Sequence, residues 1–280
     1  MLIDVLISRS SSLSPGGGAP VTLAQQVLSV SNVSTMVRTT GDFWDRWSGP
    51  DGLLTHYNQS AALAYAGLSS GVAGTPFLDL DMLPLGRIGQ PIVGNDPLVG
   101  RPRQSNFTHP EALAVMSLWI IARSPLIFGG SLTETTPSTL ALLQAADALR
   151  VQEEAINSRQ LWQNEATVVW LAESKLSSAG PNHTAFVGAF NLRSQNSTIS
   201  LSLSALSLKT CVGMAWIVSV WGELGASRLY SHQQQTIRPL VPHVRDEGTA
   251  RSLSAWAEFS LELQPRGGDL LRVTCVADPV

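Results

Sequence analysis

Two hydrophobic periodicities divide the chain. Up to about residue 150, short apolar runs alternate with segments whose apolar residues recur at helical spacing. Residues 2–7, 35–38, 77–82 and 125–128 read as strands, and 21–28, 53–68, 109–122 and 138–146 as helices. Strands alternating with helices predict parallel βα units. From Thr167 onward the pattern changes to short β-type runs such as TVVWLAES, HTAFVGAFNL, AWIVSVWG and LLRVTCV, separated by Gly, Pro, Asn and Ser. That spacing predicts an antiparallel sandwich. The expected division is an α/β region over 1–158 and a β-sandwich over 159–280, the change falling in the stretch VQEEAINSRQLWQNE. The patch SPGGGAP reads as a loop, and no internal repeat is present.

Composition narrows the function classes. With 280 residues and 44% apolar content, the chain is long enough to bury one large core or two ordinary ones. A charged fraction of 14% and a net charge of −3 leave no broad basic field for nucleic acid or anionic lipid. No stretch approaches the roughly 20 continuous apolar residues of a membrane span. The start, MLIDVLISRSSS, lacks the basic region and apolar core of a signal peptide. Cys211 and Cys275 lie far apart without CxxC or His-flanked spacing, which argues against zinc or redox chemistry and leaves one disulfide or two buried thiols. Asn-x-Ser/Thr sequences at Asn32, Asn58, Asn106, Asn182 and Asn196 would accept glycans in a secretory, lysosomal or vacuolar compartment.

Two segments carry candidate chemistry. In FLDLDMLPLG, Asp79 and Asp81 interrupt an apolar strand, and strand alternation points both carboxylates to one side with Leu80 and Met82 on the other. A polar strand end satisfied by backbone N–H groups is the plainer explanation of the same pattern. In VRTTGDFWDRW, Arg38 stands four residues before Asp42, where it can orient that carboxylate or hold substrate hydroxyls, and Trp44 and Trp47 offer a stacking face. The alternative is a helix start with a surface ion pair and two core tryptophans.

Taken together with SLSPG at 12–16 and SLWIIARSPLIFGGSL at 117–132, the order and intervals of these segments resemble family 27 glycoside hydrolases, the α-galactosidase family. The likeness is close over about residues 5–165. It implies a (β/α)8 barrel followed by an antiparallel β-domain, with the site at the C-terminal ends of the barrel strands. On that resemblance the predicted strands over 2–7, 35–38, 77–82 and 125–128 are the fifth to eighth of the barrel. Asp42 takes the place of the general acid/base, and Arg38 that of the substrate-binding arginine. Asp81 and Met82 line the galactose pocket, Asp79 supports them, and Ser12 opens the loop that distinguishes sugars at C2 and C6.

In the family the nucleophilic aspartate ends the fourth strand and further sugar-gripping carboxylates come from the first. With 2–7 as the fifth strand, Met1 falls in mid-barrel, so strands one to four and the nucleophile are expected to be missing from this chain, which reads as a fragment or an incomplete gene model. The implied activity is retaining hydrolysis of terminal α-galactosides, a carbohydrate-metabolism reaction run by two carboxyl groups about 5–5.5 Å apart and needing no metal or organic cofactor. The chain alone is expected to be inactive. The implied partners are a galactose-containing glycoside and, as an assembly, a homodimer. Two rival readings are a galactoside-binding pseudoenzyme and a β-rich structural fragment.

Overall fold

The computed structural model describes residues 12–14, 20–72, 74–89, 102–177, 183–206, 208, 213–225, 227–231 and 258–277. The predicted strand over 2–7 and Cys211 lie outside the described residues.

The first region is built on a parallel sheet. Strand β1 (Ser12–Leu13), helix α1 (Pro20–Ser29), strand β2 (Met36–Arg38), helix α2 (Leu53–Tyr65) and strand β3 (Phe77–Asp79) come in that order. The strands pair side by side as β1-β2-β3, both ladders parallel, with Met36 opposite both Ser12 and Phe77. The helices cover one side: Leu23, Val27, Val37, Leu63 and Leu78 form a small core between α1, α2 and the strands. A single parallel bridge, Leu83 to Phe128, is all that forms of the predicted strand over 125–128. Strands β4 (Arg87–Ile88) and β5 (Arg103–Gln104) form a short antiparallel pair.

Helix α3 (His109–Ile121) opens with a capping box, in which the Thr108 hydroxyl accepts from the Glu111 amide while the Glu111 side chain accepts from the Thr108 amide. Every residue from Glu111 to Ile121 is buried, so the helix is apolar all round rather than on one stripe, as expected of a helix packed on more than one side. The predicted helix over 138–146 corresponds to α4 (Pro137–Leu143), and a further helix that the sequence pattern did not predict, α5 (Ala146–Glu154), follows it after Gln144 and Ala145.

The second region is antiparallel throughout. It comprises β6 (Ala155–Gln163), β7 (Thr167–Ser174), β8 (His183–Asn191), β9 (Ser197–Ser202), β10 (Gly213–Ser219), β11 (Ser227–Ser231), β12 (Glu258–Leu263) and β13 (Gly268–Ala277). Five strands form one sheet in the order β10-β13-β8-β7-β6, and three form another, β11-β12-β9. Alternation along β7 explains the packing. Val169 and Leu171 join Val187, Leu201, Phe259 and Leu261 between the two sheets. Val168, Trp170 and Ala172 face the other way and join Phe186, Leu270 and α3. The five-stranded sheet is therefore buried on both faces. Cys275, on β13, is disulfide-bonded.

Strand β6 departs from the sequence pattern. It begins at Ala155, so a division after residue 158 would cut it. Its sequence AINSRQLWQ lacks clean alternation because the register shifts twice, between Ile156 and Arg159 and again between Gln160 and Trp162, with Asn157 at φ 54°. The fold is thus mixed α/β followed by antiparallel β, and no closed barrel exists among the described residues.

Candidate active site

Because β2 and β3 are parallel neighbours with Arg38 opposite Asp79, the loops after them emerge at the same end of the sheet. The Arg38 Nη2 lies 2.5 Å from the Asp81 Oδ2 and 3.3 Å from the Asp42 Oδ1, and donates to the Gly41 carbonyl at 3.0 Å. One guanidinium thus joins two carboxylates that come from different loops. Asp42 projects outward, its side chain 89% exposed, whereas the Asp81 side chain is 14% exposed. Carboxylates and an arginine fork at strand ends are the donor and acceptor set that sugar hydroxyls and glycosidic oxygens require.

Asp81 is the most constrained of these residues. The strand stops at Asp79, and Asp81 adopts φ 90°, a left-handed backbone costly for a side chain other than Gly, Asn or Asp. Four hydrogen bonds hold it there. The Phe43 amide donates to its Oδ2 at 2.7 Å and the Met82 amide to its Oδ1 at 2.6 Å. Its own amide donates to the Asp79 Oδ1 at 2.8 Å, and the Trp119 indole donates to its carbonyl at 2.8 Å. Simple alternation, which would set Asp79 and Asp81 side by side, therefore does not apply. Asp79 is instead buried behind Asp81, and burial pushes its carboxyl pKa up, opposed by the Asp81 amide and by Arg38. The half-buried Met82 sits against Gly129, where a Cβ would come within 2.5 Å of the Met82 sulfur.

Two further residues of the GDFWDRW segment, Asp45 and Trp47, are structural. Asp45 is buried, accepts both guanidinium arms of Arg103 and the Asn106 amide, and so ties this loop to the β4–β5 pair. Trp47 is buried and stacked by the Arg266 guanidinium 5.8 Å from its ring, which removes it from any sugar-stacking face. Ser12 is exposed on β1 opposite Met36, and no side-chain hydrogen bond among the described residues links it to Arg38, Asp42 or Asp81. A cavity of about 200 Å³ lined by Gly86, Gln104, Phe107, His109 and Thr136 includes none of these groups. Among the described residues no three His, Cys, Asp or Glu side chains are grouped to hold a metal ion.

One residue near the site carried no signal of chemistry. His56 lies on α2 at the helical spacing of the buried positions Leu53, Tyr57 and Ser60, which reads as core. Its ring packs 4.7 Å from Phe43 and 5.8 Å from Trp119, beneath the carboxylates.

No family model and no curated protein matches the sequence significantly. Solved structures do. A variant of a family 27 β-L-arabinopyranosidase from Geobacillus stearothermophilus, in complex with arabinose, superposes with a TM-score of 0.68 at 29% identity. The match covers 94% of this chain and 50% of that one. Over most of its length the chain is similar to glycosidases of family 27. A candidate α-N-acetylgalactosaminidase from Bacillus halodurans C-125 matches at 26% identity with a TM-score of 0.59, over 84% of this chain and 46% of that one. The α-galactosidase of Saccharomyces cerevisiae with raffinose matches at 14% identity with a TM-score of 0.62, over 95% and 72% respectively, which speaks for the fold alone. The chain spans about half the length of the arabinopyranosidase it matches.

Proposed function

We propose that the chain supplies the acid/base side of a retaining glycosidase site for terminal α-galactosides. The observation that carries this is the Arg38 guanidinium reaching both Asp42 and Asp81 where two parallel strands end. In this proposal β2, β3 and the Leu83–Phe128 bridge occupy the places of barrel strands six to eight. Asp42, solvent-facing, delivers its proton to the glycosidic oxygen as the bond to the anomeric carbon breaks, then takes a proton from the water that releases the sugar. Arg38 and Asp81 grip ring hydroxyls, Asp79 fixes the Asp81 amide, Met82 forms the wall beside it, and Ser12 stands at the adjoining strand. The attacking carboxylate, about 5–5.5 Å from Asp42 in a retaining site, comes from the part of the relatives' length that this chain does not cover, because Asp81 is already engaged by Arg38 and the Phe43 amide. Without that partner the 280-residue chain does not turn over.

The arabinopyranosidase match favours a second substrate. A β-L-arabinopyranoside presents the ring hydroxyls of an α-galactoside without the exocyclic carbon, so the same acid and arginine would serve it. Residence in a secretory or lysosomal compartment is proposed on the disulfide at Cys275 and on the exposure of Asn32, Asn58, Asn106 and Asn196. The test compares 4-nitrophenyl α-galactoside, 4-nitrophenyl β-L-arabinopyranoside and melibiose. Each is given to the 280-residue chain, to a form fused to the missing half of a family 27 barrel, and to that form carrying Asp42→Ala. Turnover of melibiose by the fused form should fall about 10²–10⁴-fold in Asp42→Ala. Turnover by the short chain, or indifference to Asp42→Ala, would refute the assignment. Activity on the arabinopyranoside alone would select the second substrate.

A further inference from the structure

We propose that His56 is a positioning residue of the sugar site, holding the Asp81 carboxylate and the Asp42 loop through Phe43 and Trp119. This rests on reading Arg38, Asp42 and Asp81 as that site. Its geometry stands independently. Phe43 is the residue after Asp42, and its amide donates to the Asp81 carboxylate. Trp119 donates its indole N–H to the Asp81 carbonyl, across the left-handed backbone. The two rings lie 4.7 Å apart, and the His56 imidazole contacts both, at 4.7 and 5.8 Å. The two donors that hold Asp81 from loop and helix thus belong to the two residues whose rings pack on one buried histidine.

The imidazole is in a defined tautomer. Its Nδ1 lies 2.9 Å from the Gly52 carbonyl, which can only accept, so the proton is on Nδ1. Nε2 is buried without a partner of hydrogen-bond geometry, although the Gly41 carbonyl is near enough to favour its protonation slightly. That carbonyl already accepts from Arg38. The charged groups that reach His56 are Asp81 and Arg38, of opposite effect, and burial outweighs both in lowering its pKa below the ordinary value. A second proton would place a cation beside Arg38 and a competing donor at the carbonyl Arg38 uses, drawing the guanidinium away from the two carboxylates. Neutral His56 keeps the fork in place. For a histidine with a lowered folded pKa, the stabilisation is full above about pH 6.5 and is lost as pH falls through the lowered value.

Hydrogen exchange of the full chain tests this without any sugar, so its failure is distinct from failure of the hydrolase proposal. Protection factors are measured for the Phe43 amide and the Trp119 indole, with the Leu271 amide in the antiparallel sheet as reference, from about pH 7 down to about pH 4. In the unsubstituted chain both site probes should lose about tenfold or more protection on acidification while Leu271 holds. His56→Phe keeps a ring in the stack but cannot be protonated, and should retain protection throughout. His56→Ala should lose it already at neutral pH. The proposal is overturned if His56→Phe shows the same acid response as the unsubstituted chain, or if His56→Ala leaves both probes protected. If His56→Ala does not fold, the comparison with His56→Phe decides alone.

Discussion

The parallel and antiparallel regions are held by different means. In the antiparallel region the strands run five to ten residues, and the five-stranded sheet is buried on both faces, so apolar area does most of the stabilising. In the parallel region β2 and β3 have three residues each, and the loops beyond them are fixed by polar groups: Asp81 by four hydrogen bonds, Asp45 by Arg103 and Asn106. Apolar packing tolerates repacking, whereas a buried carboxylate tolerates only its own donors. The candidate site therefore lies in the region where position is set by directed bonds. Helix α3 belongs to both, with its indole at Asp81 and its other faces under Phe186 and Leu270.

The largest effect should come from emptying the shared core. Phe186→Ala is expected to cost about 3–5 kcal/mol, since the ring is fully buried in the core that includes α3. Urea unfolding followed by far-ultraviolet dichroism and by tryptophan emission should shift together. Separate midpoints would break the claim that the regions share one core. Arg103→Ala should be milder, about 1–3 kcal/mol, because it strands the buried Asp45 carboxylate but removes a half-exposed cation. A double variant with Asp45→Ala should cost less than the sum of the two single changes, and simple additivity would show that the pair does not tie the loops.

Gly130→Ala should cost about 1–2 kcal/mol, since its Cβ would come within 2.4 Å of the Leu85 carbonyl oxygen. The loss should read out in exchange of the Gly129 amide, which donates to the Leu83 carbonyl, before it reaches the antiparallel sheet. The smallest expected effect is in the pH dependence of Asp79→Asn. A carboxyl whose folded pKa is raised binds its proton more readily when folded, so stability falls as pH rises from the unfolded value through the folded one. Asparagine can still accept from the Asp81 amide. The variant should flatten that acid-side slope, and an unchanged slope would place the pH sensitivity elsewhere.

Legibility in the sequence divided along the same line. The runs over 167–174 and 183–192 are apolar at most positions, and both proved to be strands, β7 and β8. Strand β6 was not legible, because two register shifts and polar residues erase its period. Near the site, the spacing of Arg38 and Asp42 was visible, as was the Asp79/Asp81 pair. The turn at Asp81 was not, since a left-handed aspartate leaves no mark on a local pattern and depends on donors 38 residues away at Phe43 and Trp119. Trp47 was equally deceptive, its ring being covered by Arg266 from the far end of the chain. His56 sat where any apolar residue would have fitted the helical pattern.

The sheet order also dictates when the five-stranded sheet can be completed during synthesis. Strand β13 follows every other described strand in the chain, yet it does not lie at an edge but between β10 and β8, directly over α3. Until Ala277 has emerged, β8 lacks one of its two neighbours, β10 has none, and one side of a largely apolar helix made some 150 residues earlier faces water. The nascent chain must carry that apolar surface until β13 has been made, a period in which association with other unfinished chains competes with folding. Slowing elongation should therefore do little for its yield, whereas a holding chaperone that covers α3 should do much.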